Sequence, residues 1–407
     1  MALDFPTSPT VGQQYGGYVF DGVKWKVSTT STAPASVQPT PPTNPTVGDM
    51  WFNSTDGTMY FYYNDGNTSQ WVESRAPITA NGYYSPNYVI NGAFDIWQRG
   101  TSGTVGGSVG FAADRWQSVT YAGGTMYWLQ VAAGTNPAGC RYALRVQRAS
   151  GATNTATMNI AYSLETQDVI KLAGKTVTWS FYARKGSTYS PTSYLLNARA
   201  TWGTNTDTSI FTGGISGGAN IVDSTVTLTD NWVRYNYTFT IPTNATSFGI
   251  TWYSSVTGTA GAADYYDITG VQLEEGSAAT TFRRNANSLQ GELAACQRYY
   301  QRMQSWNSYG YFSSALGNVG AGSVRGPLDT KVTLRTFPTS VEWGGSIMTE
   351  GEGVNRTITS IGIENNVSTP TRPVMTFGIS GTNPTNGMYQ VIANNNSASY
   401  IGISAEL

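Results

Sequence analysis

Two aspartates, Asp264 and Asp267, stand three residues apart in "GAADYYDITG", and an adjacent pair, Glu274-Glu275, follows a few residues later. Paired carboxylates serve two kinds of chemistry. As general acid and base they must lie about 5 to 10 Å apart across the bond to be cleaved. As hard oxygen ligands, with backbone carbonyls nearby, they hold calcium. Glu274 and Glu275 are neighbours on a predicted strand, so their side chains leave it on opposite faces and make a poor acid–base couple. Asp264 and Asp267 remain as candidate calcium ligands, weighed against solvated charges at a strand end. The chain contains no histidine, which removes the commonest general base, the usual partner of a nucleophilic Ser or Cys, and most zinc sites. Cys140 and Cys296 sit in unrelated contexts and read as free thiols. Calcium is the one cofactor for which ligands can be named, and no catalytic set is expected.

Sugar recognition asks for different residues: flat apolar faces for the C–H side of a pyranose ring, beside planar polar groups for its hydroxyls. Aromatic residues make up 13% of the chain. Trp97, Trp116, Trp179 and Trp232 sit in strand-like stretches and read as core. Trp202 in "ATWGTNTDTS", and Tyr189 and Tyr194 around "YSPTSY", lie in loop-rich stretches and are candidate glycan contacts. So are Trp306, Tyr309 and Tyr311 in "WNSYGYFSS", and Trp343 beside Gly344-Gly345.

The elements that must position these residues are almost all strands. Charged residues are only 12% of the 407, while Gly, Ser, Thr and Asn fill most polar positions, a composition of β structure with many turns. Near the N-terminus "PTVG" occurs twice, each time followed by aromatics, an Asp-Gly turn and a Trp. Residues 1–27 and 44–76 therefore read as two copies of a small β-hairpin module, each too small to be stable alone. Residues 28–43, rich in Pro, Ser and Thr, read as a linker. Alternating runs such as "TMYWLQVA", "YALRVQRA", "KTVTWSFYARKG" and "YYDITGVQLEEG" predict an antiparallel jelly-roll sandwich over 87–284. One helix is predicted over 287–304, capped by Asn287. Its apolar residues Leu289, Leu293, Cys296, Tyr300 and Met303 fall at steps of 4, 3, 4 and 3, the spacing of a coiled-coil seam. That spacing fits either a helix lying on the β core or one that meets its copies in an oligomer. Residues 305–407 predict a further β domain. The fold class is thus mainly β: hairpin modules, a jelly roll, one short trimerising helix and a C-terminal β domain.

A net charge of −1 and the lack of any Lys/Arg cluster argue against nucleic acid as a partner. No stretch approaches about 18 apolar residues, so membrane insertion is not expected. The opening residues lack the pattern of a signal peptide, so synthesis in the cytoplasm is expected.

Several motifs resemble tailed-phage tail fibre and receptor-binding proteins: "YVINGAFDIWQRGTS" from Tyr88, "FAADRW" from Phe111, "LAGKTVTWSFYARKG" from Leu172, "VQLEEGSAATTFRR" from Val271, "ELAACQRYYQ" from Glu292 and the terminal "ISAEL". The resemblance covers residues 88 to 302, and loosely the last few. It implies a carbohydrate-binding-like jelly roll followed by a C-terminal receptor-binding β domain, usually in a homotrimer, with N-terminal modules that attach to other virion proteins. The function it implies is attachment of the virion, through its tail, to host surface polysaccharide. Two alternatives stand beside it: a capsid decoration or head fibre protein, and a polysaccharide depolymerase.

Overall fold

The computed structural model describes residues 6–15, 18–27, 36–55, 57–73, 86–121, 123–136, 138–320, 322–351, 354–381 and 389–407. The chain forms two compact units, Met1–Tyr84 and Ser85–Leu407.

In the first unit the repeat has one physical basis in both copies. The Thr-Val-Gly turn puts Gly12 and Gly48 at φ 85° and 100°, where a side chain is strained. Their N–H groups donate to Phe20 O and Tyr62 O, both at 2.8 Å. Each hairpin is then closed by an aspartate whose Oδ1 accepts two backbone N–H groups, from Val23 and Lys24 at Asp21 and from Asn67 and Thr68 at Asp65. The strands are Gln14–Tyr15, Tyr18–Phe20 and Trp25–Val27 in one copy, and Met50–Asn53, Thr58–Asn64 and Ser69–Glu73 in the other. The expected linker needs correcting in part. Residues 28–35 lie outside the described residues, but Ser36–Gln38 is a strand paired in parallel with Met50–Asn53. Trp51 explains the pairing: its indole N–H donates to Gln38 O at 2.9 Å while its ring, 4% exposed, stacks on Tyr60.

The second unit opens with two six-stranded antiparallel sheets. One runs, in spatial order, Asn220–Thr227, Leu195–Gly203, Ser247–Ser254, Met158–Ser163, Gln117–Thr120 and Gly110–Phe111. The other runs Val233–Thr240, Thr176–Lys185, Tyr265–Glu275, Tyr142–Arg148, Met126–Ala132 and Ser102–Val105. Period-two alternation aims one side of every strand inward. Leu196, Ala198 and Ala200 are buried in this way, as are Val177, Trp179, Phe181 and Ala183. At the centre Trp252 packs between Trp116 and Trp179, with ring centroids 5.7 and 5.1 Å away. This is the antiparallel sandwich expected from the sequence.

The predicted helix over 287–304 needs a larger correction. The helix is Leu289–Gln297, capped by Ser288, whose Oγ accepts from Gly291 N–H at 3.0 Å. Residues Tyr300–Gln304 form a strand instead, paired antiparallel with Tyr400–Ser404. The coiled-coil seam is therefore not formed within this helix. Leu289 is exposed, Leu293 and the buried Cys296 pack on the jelly-roll core, the buried Tyr300 lies on the strand, and Met303 packs on a second core. That core belongs to a closed six-stranded barrel, in order Tyr311–Gly320, Ser323–Pro327, Val374–Ile379, Arg356–Ile363, Ile347–Glu350 and Tyr389–Ala393. Beside it Tyr400–Ser404 pairs on its other edge with Ser340–Gly344.

Candidate functional site

The strand Tyr300–Gln304 runs into a tight loop that carries Trp306 and Tyr309, and Tyr311 opens the strand that follows. Ser305 N–H donates to Ser399 O at 2.9 Å, the Ser305 hydroxyl donates to Asn307 O, and Gly310 N–H closes the turn onto the same carbonyl at 3.3 Å. A Cβ on Gly310 would lie 2.4 Å from Ser305 Oγ, so a larger residue there would displace the Ser305 hydroxyl from its bond to Asn307 O. With the backbone held in this way the rings project into solvent: Trp306 is 83% exposed, Tyr309 54% and Tyr311 66%. Large apolar side chains left this open are informative when they cluster. The loop from Asn394 to Asn396 is hydrogen-bonded alongside, Asn396 N–H to Ser308 O and Ala393 N–H to Gly310 O, both at 3.0 Å. The backbone of a run of three asparagines is thus held next to the aromatic loop; Asn395 is exposed, while Asn396 Oδ1 accepts from Ala398 N–H at 2.9 Å. Rings can cover the C–H face of a sugar while amides offer both donors and acceptors to its hydroxyls. The asparagines were missed in the sequence, although the run "NNN" directly after a strand was the signal.

The other aromatic candidates do not join this site. Trp343 lies on the strand Ser340–Gly344, opposite Ile401, and packs partly buried on the barrel core. Trp202 is on the strand Leu195–Gly203, not in a loop, and packs partly buried on the jelly-roll core. Tyr189 is 3% exposed; its hydroxyl bonds Ser254 Oγ and Leu195 O, at 3.0 and 3.1 Å. Tyr194 is exposed, with the Lys185 ammonium 4.2 Å from its ring centroid.

The calcium candidates are also corrected. Asp264 and Asp267 are fully buried and taken by arginines: Arg148 meets Asp264 at 3.0 Å, while Arg145 and Arg184 meet Asp267 at 2.8 and 2.9 Å. Guanidinium nitrogens occupy the carboxylate oxygens a cation would need. Among the described residues no group of three or more acidic or thiol side chains is placed to hold a metal. Glu274 is buried and accepts from Gln272 and Thr280, while Glu275 pairs with Lys175 at 2.6 Å. An open cleft of about 430 Å³ holds Glu165 and Asp207, but Arg298 and Arg335 engage these carboxylates at 2.9 Å each. Both cysteines are free and buried, and burial pushes the Cys140 thiol up to about 11.

Four of the six motifs that carry the resemblance converge elsewhere, on the junction between jelly roll and barrel. Gln98 Nε2 donates to Asp114 Oδ2 and to Tyr300 O, both at 2.8 Å. Arg99 lies 3.6 Å over the Tyr300 ring and Arg115 lies 3.5 Å over the Tyr299 ring. Both guanidiniums reach Glu406, next to last in the chain; Arg335 holds the Ala405 and Glu406 carbonyls at 3.1 and 3.2 Å. The helix is fastened by the buried Glu292, which accepts the N–H groups of Asn91 and Ala286. "IWQRG", "ADRW", "CQRYY" and "AEL" are parts of one latch.

No family model matches this chain, and no curated protein matches it. Among solved structures, 46% of the chain aligns with the Bacteriophage CBA120 tailspike protein 4 enzymatically active domain, at 12% identity and a TM-score of 0.28. The match spans only 21% of that domain. A xylan-binding domain from CBM 22 is covered completely by 50% of this chain, at 15% identity and a TM-score of 0.28. A CBM4 structure is covered to 99% by 46% of it, at 18% identity and a TM-score of 0.26. These are likenesses of β fold, and the chemistry of the site rests on its own geometry.

Proposed function

We propose that this chain is a phage structural protein, a tail fibre or receptor-binding protein, that holds the virion on host surface polysaccharide. The observation that carries the reading is the loop with Trp306, Tyr309 and Tyr311 exposed beside Asn394 to Asn396. A single such platform binds a sugar weakly, and several copies on one particle multiply weak sites into firm adhesion. The mechanism needs no bond cleavage. The N-terminal unit is the part that joins other virion proteins: Val11, Tyr15, Val23, Val37, Val47, Met50 and Tyr63 are all exposed there, more apolar surface than small solvated hairpins require.

The test uses labelled full-length protein with host cells and with their extracted polysaccharide, reading bound protein and glycan chain length together. Binding with the glycan left at full length is expected, reduced at least about tenfold by Trp306→Ala with Tyr311→Ala. A folded double variant that binds like the parent would overturn the reading. Shortened glycan would replace passive adhesion with depolymerisation.

A further inference from the structure

On the outer face of the jelly-roll sheet that contains Tyr265–Glu275, strand register places Arg145, Asp267 and Arg184 side by side on three adjacent strands. Asp267 is fully buried. Arg145 satisfies it through Nε and Nη2, at 2.8 and 3.1 Å, and Arg184 adds Nε to Oδ2 at 2.9 Å. One bidentate arginine already neutralises a buried carboxylate, so the second leaves a positive charge over. The terminal nitrogens of Arg184 have no hydrogen-bond partner among the described residues, and both arginines reach solvent, with side chains 20% and 24% exposed. Aromatic rings flank the row. Tyr265 lies 3.4 Å from the Arg145 guanidinium and Trp232 lies 4.5 Å from that of Arg184. Trp232 is therefore not core; its indole N–H donates to Ala133 O at 2.9 Å, which fixes the ring at the end of the row. At the same end Ala133 N–H donates to the carbonyl of Arg141, an exposed residue with no ion pair among the described residues.

We infer that this face is a second glycan site, separate from the aromatic loop, and that its ligand is a carboxylated sugar. The forked nitrogens of Arg184 match a planar carboxylate two atoms to two. The guanidiniums cover one face of Tyr265 and of Trp232, so the sugars that carry the carboxylate meet these half-buried rings at their remaining face or edge. The excess charge stands out in a chain whose net charge is −1, and it rejects nothing by shape, so selectivity lies in the charge and the flanking rings. The inference goes beyond the reading of the aromatic loop and does not depend on it.

Calorimetric titration of the full-length protein at low salt tests it. The probes are tetragalacturonate, a hyaluronan tetrasaccharide and α2,8-linked tetrasialic acid, each beside its carboxyl-reduced form. At least one acid is expected to bind about tenfold or more tightly than its reduced form, with the difference abolished in Arg184→Gln and retained in Trp306→Ala. Arg184→Gln keeps the Arg145–Asp267 pair and is expected to fold. Should it not, Arg184→Lys keeps a cation on Asp267 without the fork and is expected to weaken the acid in the same way. Equal affinity for acid and reduced forms of all three probes, or no binding by any, overturns the inference. A preference that survives Arg184→Gln, or that disappears in Trp306→Ala, overturns its placement on this face.

Discussion

Glu406→Ala is the sharpest probe of the latch. The Glu406 side chain is 5% exposed, and its partners Arg115 and Arg99 are 3% and 10% exposed. Burial alone would push the Arg115 guanidinium down, and the Glu406 carboxylate, with Tyr299 and Tyr162, more than reverses this. Removing that carboxylate leaves Arg115 buried with Ser163 O at 2.9 Å and the Tyr299 ring. Breaking a buried ion pair from one side costs about 3–5 kcal/mol, against about 0–1 for an exposed pair. With an unfolding entropy of about 2.1 cal/mol/K per residue, a unit spanning Ser85–Leu407 shifts by about 1.5 °C of Tm for each kcal/mol, which makes the expected fall about 4–7 °C. Urea titration and calorimetry of Glu406→Ala, Arg115→Met and the double variant read it directly. The double variant is expected to recover much of the loss, because no unpaired charge remains. Glu342→Ala, which removes an exposed carboxylate at 3.2 Å from Arg99, is the control and is expected to cost under about 1 kcal/mol. A loss below about 1 kcal/mol for Glu406→Ala, or strictly additive effects in the cycle, would refute the latch.

Burial pushes the Asp114 carboxyl up from 3.8 to about 6, so the unfolded chain gives up this proton first as pH rises. Its contribution to stability therefore falls between about pH 4 and 6 and is level above. Relative to Asp114→Asn, the parent is expected to lose up to about 3 kcal/mol across that window in denaturant titrations at each pH; parallel curves would show that the carboxyl is not shifted. Calcium or a chelator is expected to leave Tm unchanged, because arginines occupy Asp264 and Asp267; an occupied site at a hundredfold its Kd would add about 2.7 kcal/mol. Leu289→Ser is expected to change stability by less than about 0.5 kcal/mol and to leave the sedimentation profile as it was, since the side chain faces solvent. A shift in oligomeric state would instead place Leu289 in an interface between copies of the chain.

What was legible in the sequence follows from the range of the forces involved. Strands with strict alternation were predicted closely, as in Met126–Ala132 and Thr176–Lys185, because the two-residue period is local. The stretch after Gln297 was misread because "QRYYQRMQ" fits a helical period and a strand period equally well. The deciding partner, Tyr400–Ser404, lies about a hundred residues away in the chain. The same limit hid the Arg–Asp–Arg row: Arg145 and Arg184 are separated from Asp267 by 122 and 83 residues, and only sheet register makes them neighbours. Aromatics were called from local context, so Tyr189 was placed at the surface although its hydroxyl had buried partners waiting on Ser254 and Leu195. Trp306, Tyr309 and Tyr311, named as candidate contacts, stand exposed because the Gly, Ser and Asn around them offer no face to pack against.

The latch and the aromatic loop divide the molecule by kind of constraint. Arg99, Arg115, Glu292, Tyr299, Tyr300 and Glu406 each engage buried partners on other elements, so a change at one strands a charge or a ring at another. Trp306, Tyr309, Tyr311 and Asn395 rest on backbone hydrogen bonds and carry their side chains into solvent. Such positions tolerate substitution at small cost to stability. Four of the six motifs in this chain therefore report how the jelly roll and barrel are joined, and the other two run along jelly-roll strands. The exposed aromatics of the loop lie outside those motifs, whereas Arg184 of the proposed second site lies within "LAGKTVTWSFYARKG", so the two proposed sites differ in how closely they are tied to the framework.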